Sequence, residues 1–313
     1  MFSAIFSMMI FPGFLFLAVL SFLGEFIDRK IYARLQNRVG PPWFQPVADF
    51  IKLLGKQEII PSEANPTMFK MAPLFAAASV VTAFFYIPLW TPEALYSFNG
   101  DILVVLYLLT IPTLSFFIGG WYSTSLYARI GTVRSLTQLF AYEVPLFMGI
   151  LSSALLANTW SLTKIAEFYV IHPWLWLMNL GGFVISLIAL LGKLEKTPFD
   201  IPEAETEIVA GGFTEYSGKL LAFLKLTLNI EMIVGAALLS AVFLPFALTY
   251  NSFLDFVIFL VKLLSIIFLI SLARTIVARL RIDQMINFCW KYLVPLAMMQ
   301  LLLNLAVKGV MIK

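Results

Sequence analysis

Apolar residues gather along this chain into repeated runs of around twenty, separated by stretches where charge, proline and glycine concentrate. A helix of that length, rising about 1.5 Å per residue, crosses the ~30 Å hydrocarbon core of a bilayer. Reading each run against its breaks predicts spans at about 2–24, 70–90, 101–121, 136–157, 174–192, 219–247, 252–273 and 289–308. The pattern therefore predicts an all-α integral membrane protein of about eight transmembrane helices, with residues 1–313 forming one membrane domain. The sixth run is over-long and reads as tilted or broken near Gly235. The loops predicted to face the cytoplasm are 25–69, 122–135, 193–218 and 274–288; most outer connections read as short and plain.

Charge supports that topology. With the N-terminus outside, sixteen of the 21 Lys and Arg residues fall on the inner side, as the positive-inside rule requires of a multi-pass protein of the cell membrane. Composition agrees, at 61% hydrophobic and 12% charged, with a mean hydropathy of +0.92. A net charge of +3 without a dense basic block excludes a nucleic-acid surface. The first run lacks a basic leader and a small-residue cleavage site and is followed by Glu25, Asp28 and Arg29, so it reads as a retained span. One cysteine and one histidine, Cys289 and His172, cannot hold an iron–sulfur cluster within this chain. His172 reads as a surface residue and Cys289 as packing.

The first inner loop holds a further element. From Pro46 to Lys56 the apolar residues Val47, Phe50, Ile51 and Leu54 recur at helical spacing, with Asp49, Lys52 and Lys56 turned away. This amphipathic helix either lies in the membrane interface or docks on a partner subunit.

Three constellations carry candidate chemistry. The loop from Lys193 to Tyr216 holds Glu195, Asp200, Glu203, Glu205, Glu207 and Glu215. A short helix opening near Pro202 and ending at Gly211 and Gly212 would place Glu203 and Glu207 one turn apart on one face. Crowded carboxylates bind cations or share protons, because burial and like charge hold some of them neutral. The second constellation is ionisable groups inside spans: Glu143 beside Pro145, Lys225 and Glu231, and Asp255 and Lys262. Each costs at least ~2.5 kcal/mol near the bilayer centre unless paired or hydrated, so each is a functional candidate. Glu143 and Lys262 stand out by depth, either as ion-path residues or as a buried pair that locks helices together. The third is Arg274, Arg279 and Arg281 with Asp283 and Gln284, where anchoring accounts for the arginines as a class.

Several separated motifs resemble one family. They are Asp28-Arg29-Lys30 through Arg38-Val39-Gly40-Pro41, Gln45-Pro46-Val47-Ala48-Asp49-Phe50-Ile51-Lys52, Ala141-Tyr142-Glu143-Val144, and Lys196-Thr197-Pro198-Phe199-Asp200-Ile201-Pro202-Glu203-Ala204-Glu205-Thr206-Glu207. Glu215-Tyr216, Lys262 and Arg279-Leu280-Arg281-Ile282-Asp283-Gln284 complete the set. The chain resembles the NADH dehydrogenase subunit 1 family of complex I, including the membrane anchor subunits of group 4 membrane-bound [NiFe] hydrogenases and related archaeal sulfane sulfur reductase complexes. The resemblance implies a tilted bundle and an ion path through Glu143, Asp200, Glu203, Glu205, Glu207 and Glu215, to which Glu231 and Lys262 are added as in-span groups. It implies an interface with a hydrophilic arm at Arg29, Arg34, Arg38, Asp49, Lys52, Arg279, Arg281 and Asp283. Two departures point toward the hydrogenase branch. The stretch Gly40 to Gln45 is shorter than in respiratory members, and Leu228 stands where quinone-reducing members carry a glutamate.

The expected role is thus a membrane anchor and ion-path subunit, coupling proton or sodium movement to ferredoxin-driven chemistry, with no catalysis by the chain alone. Iron–sulfur clusters and a NiFe centre would belong to partners: hydrogenase-like large and small subunits and an iron–sulfur subunit. Antiporter-like membrane subunits would lie alongside. The same role in a sulfane sulfur or polysulfide reductase, or in a quinone-reducing complex, is the alternative within the family. A stand-alone secondary transporter is the alternative of another class, against which the lack of repeated halves speaks. A purely structural anchor, its buried charges serving as glue, is a third.

Overall fold

The structure, a computed structural model, describes residues 2–91, 93–244 and 252–311. The end of the predicted sixth span at 245–247 and the side chain of Glu205 lie outside what is described. Helices α1 (Phe2–Met9) and α2 (Phe14–Leu35) are followed by α3 (Gln45–Leu54), α4 (Pro66–Phe84), α5 (Asp101–Trp121) and α6 (Leu126–Ala157). Then come α7 (Leu162–Ile171), α8 (Leu180–Lys193), α9 (Glu205–Ile208), α10 (Gly218–Phe243), α11 (Ser252–Ile276), α12 (Ile282–Phe288) and α13 (Val294–Met311). Among the described residues, eight helical segments are long and apolar enough to cross a membrane.

Helix α10 is the axis of the bundle. Of its most apolar window 83% is buried, against 33% for α11, 28% for the first span and 22% for the last, which leaves those three at the periphery. Around α10 pack α2, α4, α8 and α11, while α6 lies between α5, α8 and α13. Gly235 does not break α10. A side chain there would meet Leu190 at 2.6 Å, so the glycine lets α8 approach closely, as small residues do between membrane helices.

The loops predicted on the charged side are in large part helical. Helix α6 begins at Leu126, so ten of the fourteen residues of the predicted loop 122–135 are helical; Arg129 and Arg134 break the apolar run without breaking the helix. Helix α2 continues to Leu35 and carries Glu25, Asp28, Arg29 and Arg34 within it. Helix α12 runs through a π-helical turn, Cys289–Leu293, into α13. Nor is every opposite connection plain, since α7 occupies the stretch after α6. Its first amide, Leu162 N–H, donates to Asp101 Oδ1 at 2.7 Å. Beside it a buried polar cluster binds the peripheral last span: Asn304 donates to Ser152 O (2.9 Å) and Asn179 Oδ1 (2.6 Å), and Gln300 to Met178 O (2.8 Å).

The predicted amphipathic helix is α3, with Pro46 in its first turn. It packs on α10 and α2 of its own chain, with the Phe50 ring 5.3 Å from that of Phe22. Val47 and Ile51 remain exposed on its other apolar side.

Glycines also set the loop between α8 and α10 against the bundle. A Cβ on Gly131 would stand 2.5 Å from Gly211 Cα and 2.8 Å from its carbonyl carbon, both backbone atoms with no side chain to swing aside. Gly131→Ala is expected to lower stability by about 1–3 kcal/mol, the usual cost of overpacking, measured by thermal unfolding of the purified chain in detergent; Gly309→Ala, where a Cβ meets nothing, serves as the neutral control.

Candidate functional site

Lys193, the last residue of α8, is 2% exposed. Its ammonium lies 2.8 Å from Glu231 Oε1 of α10, and both side chains are 1% exposed. The same ammonium donates to the carbonyl of Leu109 on α5 and stands 5.8 Å from the centre of the Tyr142 ring on α6. Tyr142 is fixed through a 3.2 Å hydroxyl contact with Thr113 of α5. Glu143, half-buried on the next position of α6, has Lys193 as the charge acting on it. Four helices therefore converge on one ammonium. Glu231 sits about 20 Å along α10 from Gly218, and neither of its oxygens receives a well-aligned hydrogen bond despite the close ion pair. An under-satisfied buried carboxylate is costly, and groups of that kind concentrate where a protein changes charge state.

Two residues beyond Lys193, Glu195 carries the polar interior into the loop. It is 8% exposed and holds a left-handed backbone, φ +50°, a conformation that a side chain with a Cβ adopts at a cost. Burial pushes its carboxyl up to about 8, helped by the negative charge of Glu203 and opposed by a hydrogen bond from Ser135; Glu231 and Lys193 act on it more weakly. Lys196, next along, is depressed by its own burial, against the pull of Asp28. Gln138 of α6 clamps the loop's start, donating to Gly192 O (2.6 Å) and Phe199 O (2.8 Å).

A second node lies on the other side of the loop. Asp28 Oδ2 is 2.6 Å from Lys196 Nζ and 2.9 Å from Arg274 Nη1, while Oδ1 accepts from Ser271 at 2.7 Å. Arg274 also donates to Thr197 Oγ1 at 3.2 Å and stacks 4.4 Å above the Tyr32 ring. Beside this node opens a polar cavity of about 480 Å³, bordered by Asp28, Glu195, Lys196, Asp200, Glu203, Arg274 and Arg279, with Leu228 on its wall.

The predicted site residues divide accordingly. Glu143 and Glu231 join the Lys193 cluster, and Asp200 and Glu203 line the cavity. Glu203 and Glu207 do not share a helical face: α9 is one turn long and starts only at Glu205, so Glu203 falls in the preceding turn. Glu207 points outward to Arg134, 2.7 Å away, whose guanidinium hydrogen bond holds that carboxyl below its ordinary range. Glu215 is half-buried in the turn before α10. Lys262 is not paired with Glu143; it lies on α11, where Asp255, 9% exposed in the first turn of that helix, is the charge acting on it. Of the residues expected to meet a hydrophilic arm, Arg34, Arg38, Arg281 and Asp283 are exposed. Arg279 instead ties down the loop, with Nε 3.1 Å from Asp200 Oδ1 and Nη2 donating to Asp200 O at 3.0 Å. Arg29 pairs with Glu25 and with Asp49 (3.3 Å), and Lys52 borders a small cavity against α10.

Asp28, Lys193 and Lys196 do not stand out in the sequence as site residues, and Glu195 and Arg274, though they fall in the acidic and basic constellations, carry no partner there. Lys193, Lys196 and Arg274 count toward the positive-inside tally, so anchoring explains them. The available signal is alternation: Lys193, Glu195 and Lys196 stand directly after an apolar run with no polar spacer.

The fold is similar to a chain in the structure of the membrane-bound sulfane sulfur reductase, an archaeal respiratory membrane complex, with a TM-score of 0.82 and 26% identity over 93% of this chain and 96% of that one. The class is thus an integral membrane subunit of a multi-subunit respiratory complex, whose other subunits are its partners. The family model for NADH dehydrogenase matches residues 6–305, and the chain belongs to that family as the corresponding membrane subunit of a complex I-like assembly. The H subunit of NADH-quinone oxidoreductase from Dehalococcoides mccartyi (strain CBDB1) is 35% identical over 301 residues, covering 93% of this chain and 83% of the relative. Its counterpart from Bacillus cytotoxicus is 34% identical over 309 residues, covering 94% and 92%.

Two measurements check the geometry. The Glu195 carboxyl ionises near 4.5 when free and near 8 in the fold; between those values the unfolded chain has lost a proton that the folded chain keeps. Its contribution to stability is therefore greatest below pH 4.5 and falls as pH rises toward 8. Glu195→Gln is expected to flatten that slope and to remove a carboxyl infrared band titrating near pH 8. Asp28→Ala strands Lys196 and Arg274 and is expected to cost about 3 kcal/mol in detergent unfolding, whereas exposed Glu207→Ala is expected to leave stability unchanged.

Proposed function

We propose that this chain is the coupling element of its complex: a non-catalytic membrane subunit that converts events at its charged loops into ion movement within the bilayer. The observation that carries this reading is the Lys193–Glu231 pair, fully buried and flanked by Glu143 on the membrane side and by Glu195 on the loop side. Lys193 is the shared counter-charge. A proton leaving Glu195 creates a negative charge that competes with Glu231 for the ammonium, and a shift of one pKa unit on any member is worth about 1.4 kcal/mol. Several coupled groups of this kind supply free energy on the scale of moving one charge across the membrane potential, ~2.3 kcal/mol per 100 mV. Motion of the loop between Glu195 and Glu207 would open and close that competition.

The electrons that drive it would pass through iron–sulfur clusters of partner subunits, with the charged loops facing the cytoplasm and the N-terminus outside. Exposed Arg34, Arg38, Arg281 and Asp283 form the contact proposed for the hydrophilic arm, and antiporter-like subunits lie alongside in the membrane. A ferredoxin-driven, hydrogenase-type complex is the reading favoured for the whole assembly, with a NiFe centre in the large subunit. On the α10 side of the polar cavity Leu228 stands where quinone-reducing members carry a glutamate, and the nearby carboxylate of that helix, Glu231, is turned into the bundle toward Lys193. Such a cavity wall suits a quinone head group poorly. Sulfane sulfur reduction is the second reading, favoured by the fold similarity at a TM-score of 0.82.

In the intact complex reconstituted in vesicles, Glu143→Gln and Lys193→Met are expected to leave electron transfer running while the ion gradient per electron collapses. An unchanged gradient in both variants overturns the coupling role and leaves a static anchor. Assaying the same preparation for hydrogen, sulfide and quinol assigns the acceptor; quinol formation alone overturns the two acceptors favoured above.

A further inference from the structure

A smaller cavity, about 260 Å³, adjoins the charged one where α3 lies across α10 and α2. Lys52 of α3, Lys56 just beyond it and Lys225 of α10 all border it. The carboxylates present are already engaged: Glu25 by Arg29 and Asn229, and Asp49 by Arg29 at 3.3 Å and Gln45 at 2.9 Å. Among the described residues none of the three lysines has an ion pair, and all three are exposed. Three lysines, from α3, the turn beyond it and α10, thus border one space whose two carboxylates, Glu25 and Asp49, are already paired with Arg29.

The depth of the space narrows the ligand. Lys225 lies about 10 Å along α10 from Gly218, and its neighbours in the cavity are Phe22, Phe50 and Leu226. On α2 the first charged residue, Glu25, follows Phe22 by less than one turn. The cavity therefore straddles the level at which apolar surface gives way to charge. From that level Val19 and Leu15, exposed three and seven residues before Phe22 and so beside it on one side of α2, run as an apolar stripe toward the other end of the bundle. A charged rim above an apolar wall matches a molecule with an anionic head and a long hydrocarbon tail. Lysine suits the head, as a mobile point charge that binds phosphate without demanding one orientation.

We propose that this cavity is a site for the phosphate head group of an anionic glycerophospholipid, with Lys52, Lys56 and Lys225 around the phosphate and an acyl chain along Phe22, Val19 and Leu15. Basic recesses between membrane helices commonly take such head groups. The bound lipid would brace α3 against α10, at the rim of the polar cavity, and the site stands or falls independently of the coupling role proposed above.

The test uses the intact complex in neutral detergent, with fluorescent phosphatidylglycerol as probe and phosphatidylcholine and inorganic phosphate as competitors. The wild type is expected to prefer phosphatidylglycerol over phosphatidylcholine by at least about tenfold, equivalent to ~1.4 kcal/mol. Lys52→Gln, Lys56→Gln and Lys225→Gln combined should abolish that preference, and the corresponding three Lys→Arg substitutions should keep it. Retention of the preference in the glutamine variant overturns the proposal. So does displacement of the lipid by an equal concentration of inorganic phosphate, which would mark a site for soluble anions.

Discussion

An ammonium ion withdrawn from water must be given oxygens by the protein, and for Lys193 those oxygens come from helices far apart in sequence. Glu231 arrives on α10 and the Leu109 carbonyl on α5, while Tyr142 on α6 turns its ring toward the charge. The helices cannot be repositioned independently without stranding a charge in a medium of low dielectric, where the penalty is several kcal/mol per ion. Packing of the central bundle and solvation of this one lysine are for that reason the same problem. Gly235 and Leu190 serve both, since the close approach of α8 to α10 sets the spacing at which Lys193 meets Glu231.

The Asp28 node solves a related problem differently. Its two cations are each partly open to the cavity, with side chains 19% and 24% exposed, while the carboxylate is 3% exposed. One buried anion shared by two cations, with a serine on its second oxygen, is a well-satisfied arrangement and reads as a brace tying α2, the loop and α11. The Lys193 cluster is the reverse: one cation, several carboxylates around it, and incomplete hydrogen bonding. Stability and responsiveness are thus divided between two ionic clusters, of which the Asp28 cluster borders the cavity and the Lys193 cluster meets it only through Glu195.

The eight spans are legible in the sequence because hydrocarbon thickness imposes a length that composition cannot disguise. Loop 122–135 is misleading for the converse reason: Arg129 and Arg134 end the apolar run, but backbone hydrogen bonds continue past them because α6 extends beyond the hydrocarbon. Acidic residues are legible as a class, since so few carboxylates occur in so apolar a chain. Their partners are not. Pairing of Lys193 with Glu231, and of Asp28 with Lys196 and Arg274, joins residues separated by tens to hundreds of positions, and periodicity holds no information at that range. The expectation that Glu203 and Glu207 share a face assumes a helix opening at Pro202; it opens only at Glu205, too late to include Glu203.

The contact between Gly131 and Gly211 gives the acidic loop a second fastening, about two turns along α6 from the one made by Gln138 at Phe199. A strip of chain pinned to the same rigid helix at both ends cannot swing like a door; it can only buckle in the middle. Buckling is short in stroke and tends to snap between two shapes rather than vary smoothly. Any such buckling would fall on the segment that holds Asp200, Glu203 and Glu207, and would have to part Asp200 from Arg279 and Glu207 from Arg134.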